Sequence, residues 1–245
     1  RSIVRSIFGR GFDSRRLHQV LLDLLFPKTC LNCGRSGEYV CPDCVAKVRL
    51  AQPMCPYGER ASIDGLTHVK CQKKLGLDGL ISIWEYEGVI RKAILALKYK
   101  YATEIASLLN GLVVERLKNP DSRFLIPNSS CLVPIPLHWH RQNVRGFNQS
   151  IEIGRSISET MDWKFVPDLL IKKQQTISQV ELKGDDRRQN LRGVFIINPS
   201  FLVSAFSSSI IVFDDVFTTG STLKEAAKVL KRAGVEKVWG LTIAR

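Results

Sequence analysis

The sequence has no long apolar run and no signal-peptide pattern. None of its apolar stretches approaches the roughly 18 residues that a membrane-spanning helix requires. Its 245 residues are 44% apolar and 24% charged, an ordinary composition for a soluble globular protein. That length is enough for one core-forming domain with an appendage. We therefore expect a cytoplasmic protein without a transmembrane segment.

Acidic residues are in short supply. The chain has 23 Asp and Glu against 36 Lys and Arg, a formal net charge of +13. The excess is concentrated in residues 1–75, which carry 13 basic and 6 acidic side chains, or +7. Such a balance suits an anionic partner. Proteins that bind single strands combine positive charge with aromatic side chains on which bases stack, and no aromatic residues are interleaved with these charges. Solubility and a nucleic-acid-facing appendage therefore both remain open as explanations.

Nothing in the composition points to the oxidising compartment that disulfides need. Four of the seven cysteines form two C-x2-C pairs separated by seven residues: Cys30, Cys33, Cys41 and Cys44. Each pair bends the backbone so that both thiolates converge, and four thiolates complete a closed tetrahedral site. A redox role would instead need a single C-x2-C between a strand and a helix. This spacing predicts one structural Zn²⁺.

A second pair of knuckles follows, but it has lost a ligand. Cys55, His68 and Cys71 could supply three donors, whereas a closed structural zinc site takes four. We therefore expect no second zinc here and interpret Cys55 and Cys71 as remnants or core residues. Cys131 lies in an apolar stretch and is predicted to be buried.

The chain lacks a Walker A motif but has another strand–loop–helix pattern near its end. Residues 210–213 are β-branched or aromatic, which predicts a buried central strand, and two aspartates end this strand abruptly. A hydroxyl-rich loop around one glycine comes next. The helix that follows has an apolar face, formed by Leu223, Ala226, Ala227 and Leu230, and Gly234 stands at its expected C-cap.

The loop in this pattern predicts an anion site. The first backbone N–H groups of a helix lack partners and attract negative charge, and Gly220 lets the backbone approach a ligand. Asp214 and Asp215 would repel a phosphate unless they face sugar hydroxyls or a divalent cation. A ribose 5-phosphate satisfies both conditions. The order of residues, from the apolar run through Asp-Asp to Thr-Thr-Gly-x-Thr, resembles the 5-phosphoribosyl-1-pyrophosphate (PRPP) signature of type I phosphoribosyltransferases.

Between the knuckles and this signature, predicted strands alternate with predicted helices. Strands are expected at 80–86, 131–137, 169–172 and 194–195, and helices at 89–97, 103–117 and through Met161. This alternation predicts an α/β fold with a parallel sheet flanked by helices. Ligands bind at the carboxyl ends of such strands, where Asp214 and His138 would both lie. Residues 173–186 are polar and are predicted to be a mobile lid.

The chain as a whole resembles the ComF family (ComFC/GntX-like proteins). The paired knuckles and the signature carry this resemblance, together with residues 134–138 (Pro-Ile-Pro-Leu-His), 145–149 (Arg-Gly-Phe-Asn-Gln) and 187–192 (Arg-Arg-Gln-Asn-Leu-Arg). It covers residues from about 20 to 245. The resemblance implies a type I phosphoribosyltransferase fold and a link to DNA uptake in natural transformation, without implying an acceptor. The degraded second knuckle pair departs from the family and leaves the metal count in doubt.

Roles for single residues follow from this resemblance. Asp214 and Asp215 would hold the ribose hydroxyls, partly through Mg²⁺. The remainder of the PRPP site would comprise Val216, Phe217, Thr218, Thr219, Gly220, Ser221 and Thr222, with Leu137 and His138 in the pyrophosphate loop. Arg141, Arg145 and Arg188 are candidate contacts to pyrophosphate or acceptor, with a solvated basic face as the alternative.

The predicted function is PRPP binding with displacement of pyrophosphate onto an unknown acceptor. Asp214, Asp215, Arg145 and Arg188 are the candidate catalytic residues. The alternative is a non-catalytic protein that binds single-stranded DNA and uses the fold as a PRPP sensor or relic; DNA-uptake proteins are candidate partners in either case. We expect three parts: an amphipathic helical arm at 1–28, a zinc-knuckle module at 29–75 and a phosphoribosyltransferase-fold domain at 76–245.

Overall fold

The computed structural model describes residues 27–97, 102–119, 131–136, 148–173, 193–201 and 209–245. Several predicted features lie outside these residues. They include the helical arm, the loop at 137–147 and nearly all of the predicted lid.

A parallel five-stranded sheet forms the centre of the fold, in the order β1-β7-β6-β2-β3. Two further strands, β4 and β5, form a separate antiparallel pair. In chain order the strands are β1 (Gly79–Trp84), β2 (Cys131–Pro134), β3 (Lys164–Phe165), β4 (Leu170–Lys172), β5 (Phe195–Ile197), β6 (Ser209–Val216) and β7 (Lys237–Ala244). The predicted α/β class with a parallel sheet is confirmed.

The described α-helices are α1 (Pro42–Val45), α2 (Gly88–Ala96), α3 (Ala102–Lys118), α4 (Gln149–Met161) and α5 (Ser221–Arg232). Short 3₁₀ turns cover Ile63–Gly65 and Val69–Cys71. Among the helices of the described ranges, none has the length and apolarity to cross a membrane.

Helices cover both faces of the sheet because its central strands are apolar on both sides. Successive side chains of a strand point to opposite faces. Ile211 and Phe213 accordingly join one core cluster, which contains residues of α2, α3 and α4. Ile210 and Val212 join a second cluster with α5, β4 and β5. All four are fully buried, as expected for a central parallel strand.

Helix α5 follows its predicted pattern closely. Its four predicted apolar positions are all buried. The helix ends at Arg232, and Gly234 adopts a left-handed conformation with φ 99°. The Val235 N–H then donates to the Leu230 carbonyl at 3.2 Å, which satisfies one of the unpaired carbonyls of the last turn. Ala233 is the C-cap, so Gly234 lies one residue beyond the predicted position, at C′, where a left-handed glycine commonly ends a helix.

Three strand assignments differ from the sequence-based prediction. The central strand does not end at Phe213: β6 runs to Val216, because β7 extends far enough to pair with it through Ala244. The strand predicted at 169–172 pairs with β5 in the separate ribbon and not in the main sheet. The edge strand β3 was not predicted, since it has only two residues and no pattern of its own.

The region before β1 packs against the edge of the sheet. Cys30, Cys41 and Cys44 share a core cluster with residues of β1 and α2. Isolated β-bridges join Leu50 to Trp84 and Leu66 to Gly79. The four-cysteine cluster is therefore anchored to the α/β core through apolar contacts.

Candidate functional site

The candidate site lies where the chain reverses direction across the sheet. From β2 the chain passes through α4 to β3 on one side, whereas from β6 it passes through α5 to β7 on the other. In open α/β sheets, ligands bind in the crevice at the carboxyl ends of two such strands. Here one strand leads into Ile135 and Pro136, and the other leads into the aspartate pair. The topology thus brings the beginnings of both predicted loops to one crevice.

Asp214 and Asp215 lie near the carboxyl end of β6, just before its last residue, Val216. Both are half-buried, and the Asp215 N–H donates to Asp214 Oδ1 at 2.9 Å. Burial, and then the neighbouring charge of Asp215, raise the pKa of the Asp214 carboxyl well above its usual range. The Lys172 ammonium on β4 acts in the opposite direction. A cation or a sugar hydroxyl at this position would relieve the crowding of negative charge.

The loop after β6 requires its glycine for two reasons. Gly220 adopts φ 67°, in the left-handed region that side chains disfavour. In addition, a Cβ at this position would come within 2.3 Å of the Phe217 ring. That ring is buried, and the Phe217 N–H donates to the Ala244 carbonyl at 2.9 Å. The loop therefore folds back over an aromatic anchor and turns directly into α5.

Hydroxyl groups and free backbone N–H groups meet at the start of α5. Thr219 Oγ1 lies 2.7 Å from Ser221 Oγ. The first intrahelical bond runs from the Lys224 N–H to the Gly220 carbonyl, so helix geometry leaves the N–H groups of Thr222 and Leu223 without intrahelical partners. Thr218 and Thr219 are exposed. This arrangement can accept an anion.

Lys224 and Tyr57 join the loop, and sequence reasoning missed both. Lys224 Nζ donates to the Thr219 carbonyl at 2.8 Å and lies 5.5 Å from the centre of the Phe217 ring. The same ammonium lies 5.2 Å from the centre of the Tyr57 ring, which belongs to the second knuckle. Lys224 could have been found from its place in the first turn of α5. Tyr57 is too distant in sequence to give a signal.

The predicted site residues divide into two groups. The structure places Asp214, Asp215 and Val216 on β6, the next four residues in the loop, and Ser221 and Thr222 in the first turn of α5. The other group lies outside the described residues, and its roles stay predictions: Leu137, His138, Arg141, Arg145 and Arg188.

The four cysteines of the first pair of knuckles converge as predicted. Their sulfur atoms all lie within 4.8 Å of one another, and all four are free thiols. Cys33 Sγ and Cys41 Sγ are 3.7 Å apart. A tetrahedron with Zn–S bonds of about 2.3 Å has edges of about 3.8 Å, so this separation fits zinc. The cluster is a structural zinc site.

Hydrogen bonding and burial act on these thiols in opposite directions. Burial alone would raise the pKa of the Cys30 thiol, but hydrogen bonds from the backbone at Cys33, Cys41 and Asn32 bring it down to about 6. Burial raises the pKa of the Cys41 thiol to about 12. Because zinc binds thiolates, filling the site at neutral pH must release protons.

A second group of metal-binding side chains also converges. Cys55 Sγ, a ring nitrogen of His68 and Cys71 Sγ lie within 4.8 Å of one another. Cys55 is fully buried, and the other two are half-buried. Cys55 and Cys71 are the two that the sequence led us to interpret as remnants or core residues. Cys131, by contrast, is buried as predicted, and burial raises the pKa of its thiol to about 11.

The fold and these clusters define an α/β protein with a zinc-ribbon region and a ligand crevice at the carboxyl edge of its sheet. The model of a double zinc ribbon domain matches residues 21–72. Competence protein F of Haemophilus influenzae is 37% identical over 115 residues, which are 46% of this chain and 50% of that protein. The chain thus spans about half the length of that relative.

Two other relatives match over most of their length. The DNA utilization protein YhgH of Salmonella typhi is 27% identical over 89% of this chain and 98% of its own. Competence protein ComFC of Bacillus subtilis is 26% identical over 82% of this chain and 81% of its own. Together with the double zinc ribbon match, these similarities support the resemblance to the ComF family.

Proposed function

We propose that this protein binds PRPP at the carboxyl edge of its sheet and transfers the phosphoribosyl group to an acceptor. One observation carries the proposal: the half-buried Asp214–Asp215 pair lies near the end of a central strand at the switch point, and a short hydroxyl-rich loop joins that strand to a helix N-terminus. A phosphorylated pentose has the matching polarity, with hydroxyl groups at one end and phosphate at the other.

In this proposal the two ends of the site have separate tasks. The carboxylates of Asp214 and Asp215 accept hydrogen bonds from the ribose hydroxyls. The backbone N–H groups and hydroxyls of residues 218–222 hold the 5-phosphate. Lys224 already donates to the Thr219 carbonyl, so it steadies the loop and adds positive charge beside the phosphate.

The donor set also fits Mg²⁺, which prefers carboxylate, substrate and water oxygens. Asp214 and Asp215 would hold it, directly or through the ribose. Burial, and then the charge of Asp215, raise the pKa of the Asp214 carboxyl, and a bound cation would favour its charged form. When bound, the cation would neutralise the charge of the departing pyrophosphate.

The reaction would replace one bond at ribose C1 with another. A nucleophile, which we take to be an amine, attacks C1 and loses its proton, while the C1–O bond breaks and pyrophosphate leaves with the electron pair. The task of the protein is to stabilise the negative charge of the leaving group. Arg145 and Arg188 are the proposed donors, with Leu137, His138 and Arg141 in the pyrophosphate loop. We assign to residues 173–186 the task of keeping water away from C1.

A calorimetric titration with PRPP and Mg²⁺ tests this proposal. Asp214→Asn and Asp215→Asn should each weaken binding at least about tenfold, or about 1.4 kcal/mol. Glu236→Gln is the matched control because it removes the same charge at the opposite edge of the sheet, just before β7. Equal affinities in all four proteins, or no binding in any, would refute PRPP binding at this edge.

We further propose that the protein acts in DNA uptake. The names of its relatives refer to competence and DNA utilization, and the basic balance of residues 1–75 suits a nucleic acid. DNA-uptake proteins are the proposed partners. The rival to catalysis is a single-stranded-DNA-binding protein whose PRPP site is a sensor or relic.

Salt separates the two activities. Binding to a single-stranded oligonucleotide through Lys and Arg should weaken steeply with salt, since each phosphate contact releases counterions. PRPP binding in a crevice should respond much less. We expect modest DNA binding that survives Asp214→Asn. Loss of both activities in that variant would mean that one site serves both ligands.

A further inference from the structure

Residues 29–36 and 54–61 form the same turn twice. In the first, the Cys30 N–H donates to the Arg35 carbonyl and the Gly34 N–H to the Cys30 carbonyl, at 2.8 and 2.9 Å. In the second, the Cys55 N–H donates to the Arg60 carbonyl and the Glu59 N–H to the Cys55 carbonyl, at 2.9 and 3.1 Å. The positions differ by 25 residues throughout (30 to 55, 34 to 59, 35 to 60).

Further features of this turn repeat as well. A β-bridge closes each copy, between Thr29 and Ser36 in one and between Met54 and Ala61 in the other. The residue five positions after the first bridge residue of each turn has positive φ, 76° at Gly34 and 51° at Glu59. The two copies are therefore one structural unit with the same backbone.

The chain segments that complete the two clusters also correspond. The Cys44 N–H donates to the Cys41 carbonyl at 3.0 Å, and the Cys71 N–H donates to the His68 carbonyl at 2.7 Å. His68 thus stands where the first cluster has Cys41, and Cys71 stands where it has Cys44. The remaining ligand of the first cluster is Cys33, whose counterpart is Gly58.

Gly58 faces the second cluster. A Cβ built on it would lie 3.2 Å from Cys71 Sγ, 3.6 Å from His68 Nδ1 and 3.8 Å from Cys55 Sγ. Its φ lies outside the left-handed region, so the backbone does not require glycine here. The Gly58 N–H, moreover, points at Cys55 Sγ, 3.4 Å away, as in a knuckle that supports a thiolate. The missing side chain leaves one side of the cluster uncovered by residue 58.

The orientation of the His68 ring supports a ligand role. His68 Nε2 lies 3.0 Å from the Ala61 carbonyl, and because a carbonyl can only accept, Nε2 must carry the proton. In the neutral ring, Nδ1 then has a free lone pair. Nδ1 lies 3.6 Å from the Cβ position of Gly58, which is itself within 3.8 Å of both sulfur atoms. Metal-bound histidines are commonly held in this way by a backbone carbonyl behind the ring.

We propose that Cys55, His68 and Cys71 bind a second zinc ion, whose fourth coordination position, beside Gly58, is open to an exogenous anion such as a thiolate or hydroxide. Zinc sites with three protein ligands and one exchangeable ligand are open sites, unlike the closed four-cysteine site nearby. A zinc ion with two thiolates and a neutral imidazole has no net charge. Arg60 follows Gly58 by two residues and Lys73 follows Cys71 by two, and both side chains are exposed, so cationic groups border the cluster and favour an anion as the fourth ligand.

Metal content tests the first part of this proposal. The reduced full-length chain should contain two zinc ions, and Cys55→Ser and Cys71→Ser should each contain one. Cys131→Ser is the control, since it changes a buried cysteine outside both clusters and should retain two. One zinc in the wild type, with the same content in Cys55→Ser, would overturn the second site.

Cobalt substitution tests the open position. With Co²⁺ in both sites, 2-mercaptoethanol should strengthen the sulfur-to-cobalt charge-transfer absorption of the wild type and shift its visible bands. Gly58→Cys should have the stronger absorption from the start and should not respond. It should also release its second metal to a chelator at least about tenfold more slowly than the wild type.

The control for the added thiol is Gln52→Cys, at an exposed position outside the cluster, and it should behave as the wild type does. A wild-type spectrum that ignores the thiol while two metals are bound would show that the chain itself supplies a fourth ligand. That result would overturn the open position while leaving the second metal in place.

Discussion

The two halves of the zinc-ribbon region share a backbone and differ in how they close. Cys33 completes the first cluster, whereas Gly58 leaves its counterpart with three ligands. Their turns nevertheless have the same hydrogen bonds and the same bridge. The comparison shows that the fold of the turn does not depend on its second cysteine. A metal ligand can therefore be lost here without loss of the fold, and a closed structural site becomes an open one.

The two halves of the zinc-ribbon region also differ in what they pack against. Cys30, Cys41 and Cys44 belong to the core cluster that contains β1 and α2, so the first site anchors the region. The second half lies beside the candidate crevice, where the Tyr57 ring meets Lys224 of α5. The closed site thus suits a structural task, whereas the half with the open site reaches the proposed functional loop through Tyr57 and Lys224.

The largest expected effect is a difference in protein stability between variants that lose a ligand of the first site and variants that lose a ligand of the second. Cys30→Ser should unfold the zinc-ribbon region, because the binding free energy of a structural zinc, about 10–16 kcal/mol in small zinc domains, is also folding free energy. Cys55→Ser should lower the melting temperature by much less, since the rest of its turn is retained. Metal content and thermal unfolding followed by circular dichroism give both answers. An equal or larger loss in Cys55→Ser would contradict the comparison.

A smaller effect tests the shared backbone. Gly34→Ala should destabilise the zinc-loaded protein by about 1–2 kcal/mol, because alanine disfavours the left-handed conformation and nothing else obstructs its Cβ. Glu59→Gly should change stability by less than about 0.5 kcal/mol, since relief of the strained φ offsets the greater freedom of the unfolded chain. Urea denaturation measures both. A neutral Gly34→Ala would indicate that the first turn does not hold this conformation.

Features with a local sequence signal could be predicted. The period of α5 and the spacing of the four cysteines depend on residues close in the chain, and both predictions are confirmed. The same holds for the parallel α/β class, which the alternation of strands and helices indicates. The PRPP roles of Asp214 and Asp215 stay predictions, because their placement at the switch point is compatible with them but does not identify the ligand.

Features that depend on distant partners could not be predicted. The end of β6 is set by how far β7 reaches, and the sequence of β6 alone suggested an earlier stop. The sequence grouped Cys55, His68 and Cys71 as three possible donors, but it could not show that they converge, since one ligand is missing and one is changed. Tyr57 reaches Lys224 across most of the chain, and no spacing rule connects them.

The smallest expected effect links the second half of the ribbon to the proposed function. The Tyr57 ring lies 5.2 Å from Lys224 Nζ, and this ammonium also donates to the Thr219 carbonyl in the loop. Tyr57→Leu removes the ring while retaining apolar volume. Both side chains are half-buried. A cation–π contact near the surface is worth about 0.5–1 kcal/mol, so PRPP affinity should fall about two- to fivefold in calorimetry.

Tyr39 provides the matched control for this variant. It belongs to the first half of the ribbon, and its ring lies 5.9 Å from Lys28 Nζ. Tyr39→Leu should therefore leave PRPP affinity unchanged, although it removes an aromatic ring from the same region. If both variants lost affinity equally, the ribbon would act on the loop through general stability and not through Tyr57. If neither did, Lys224 would hold Thr219 without help from the ring, and the open metal site would have no direct structural route to the crevice.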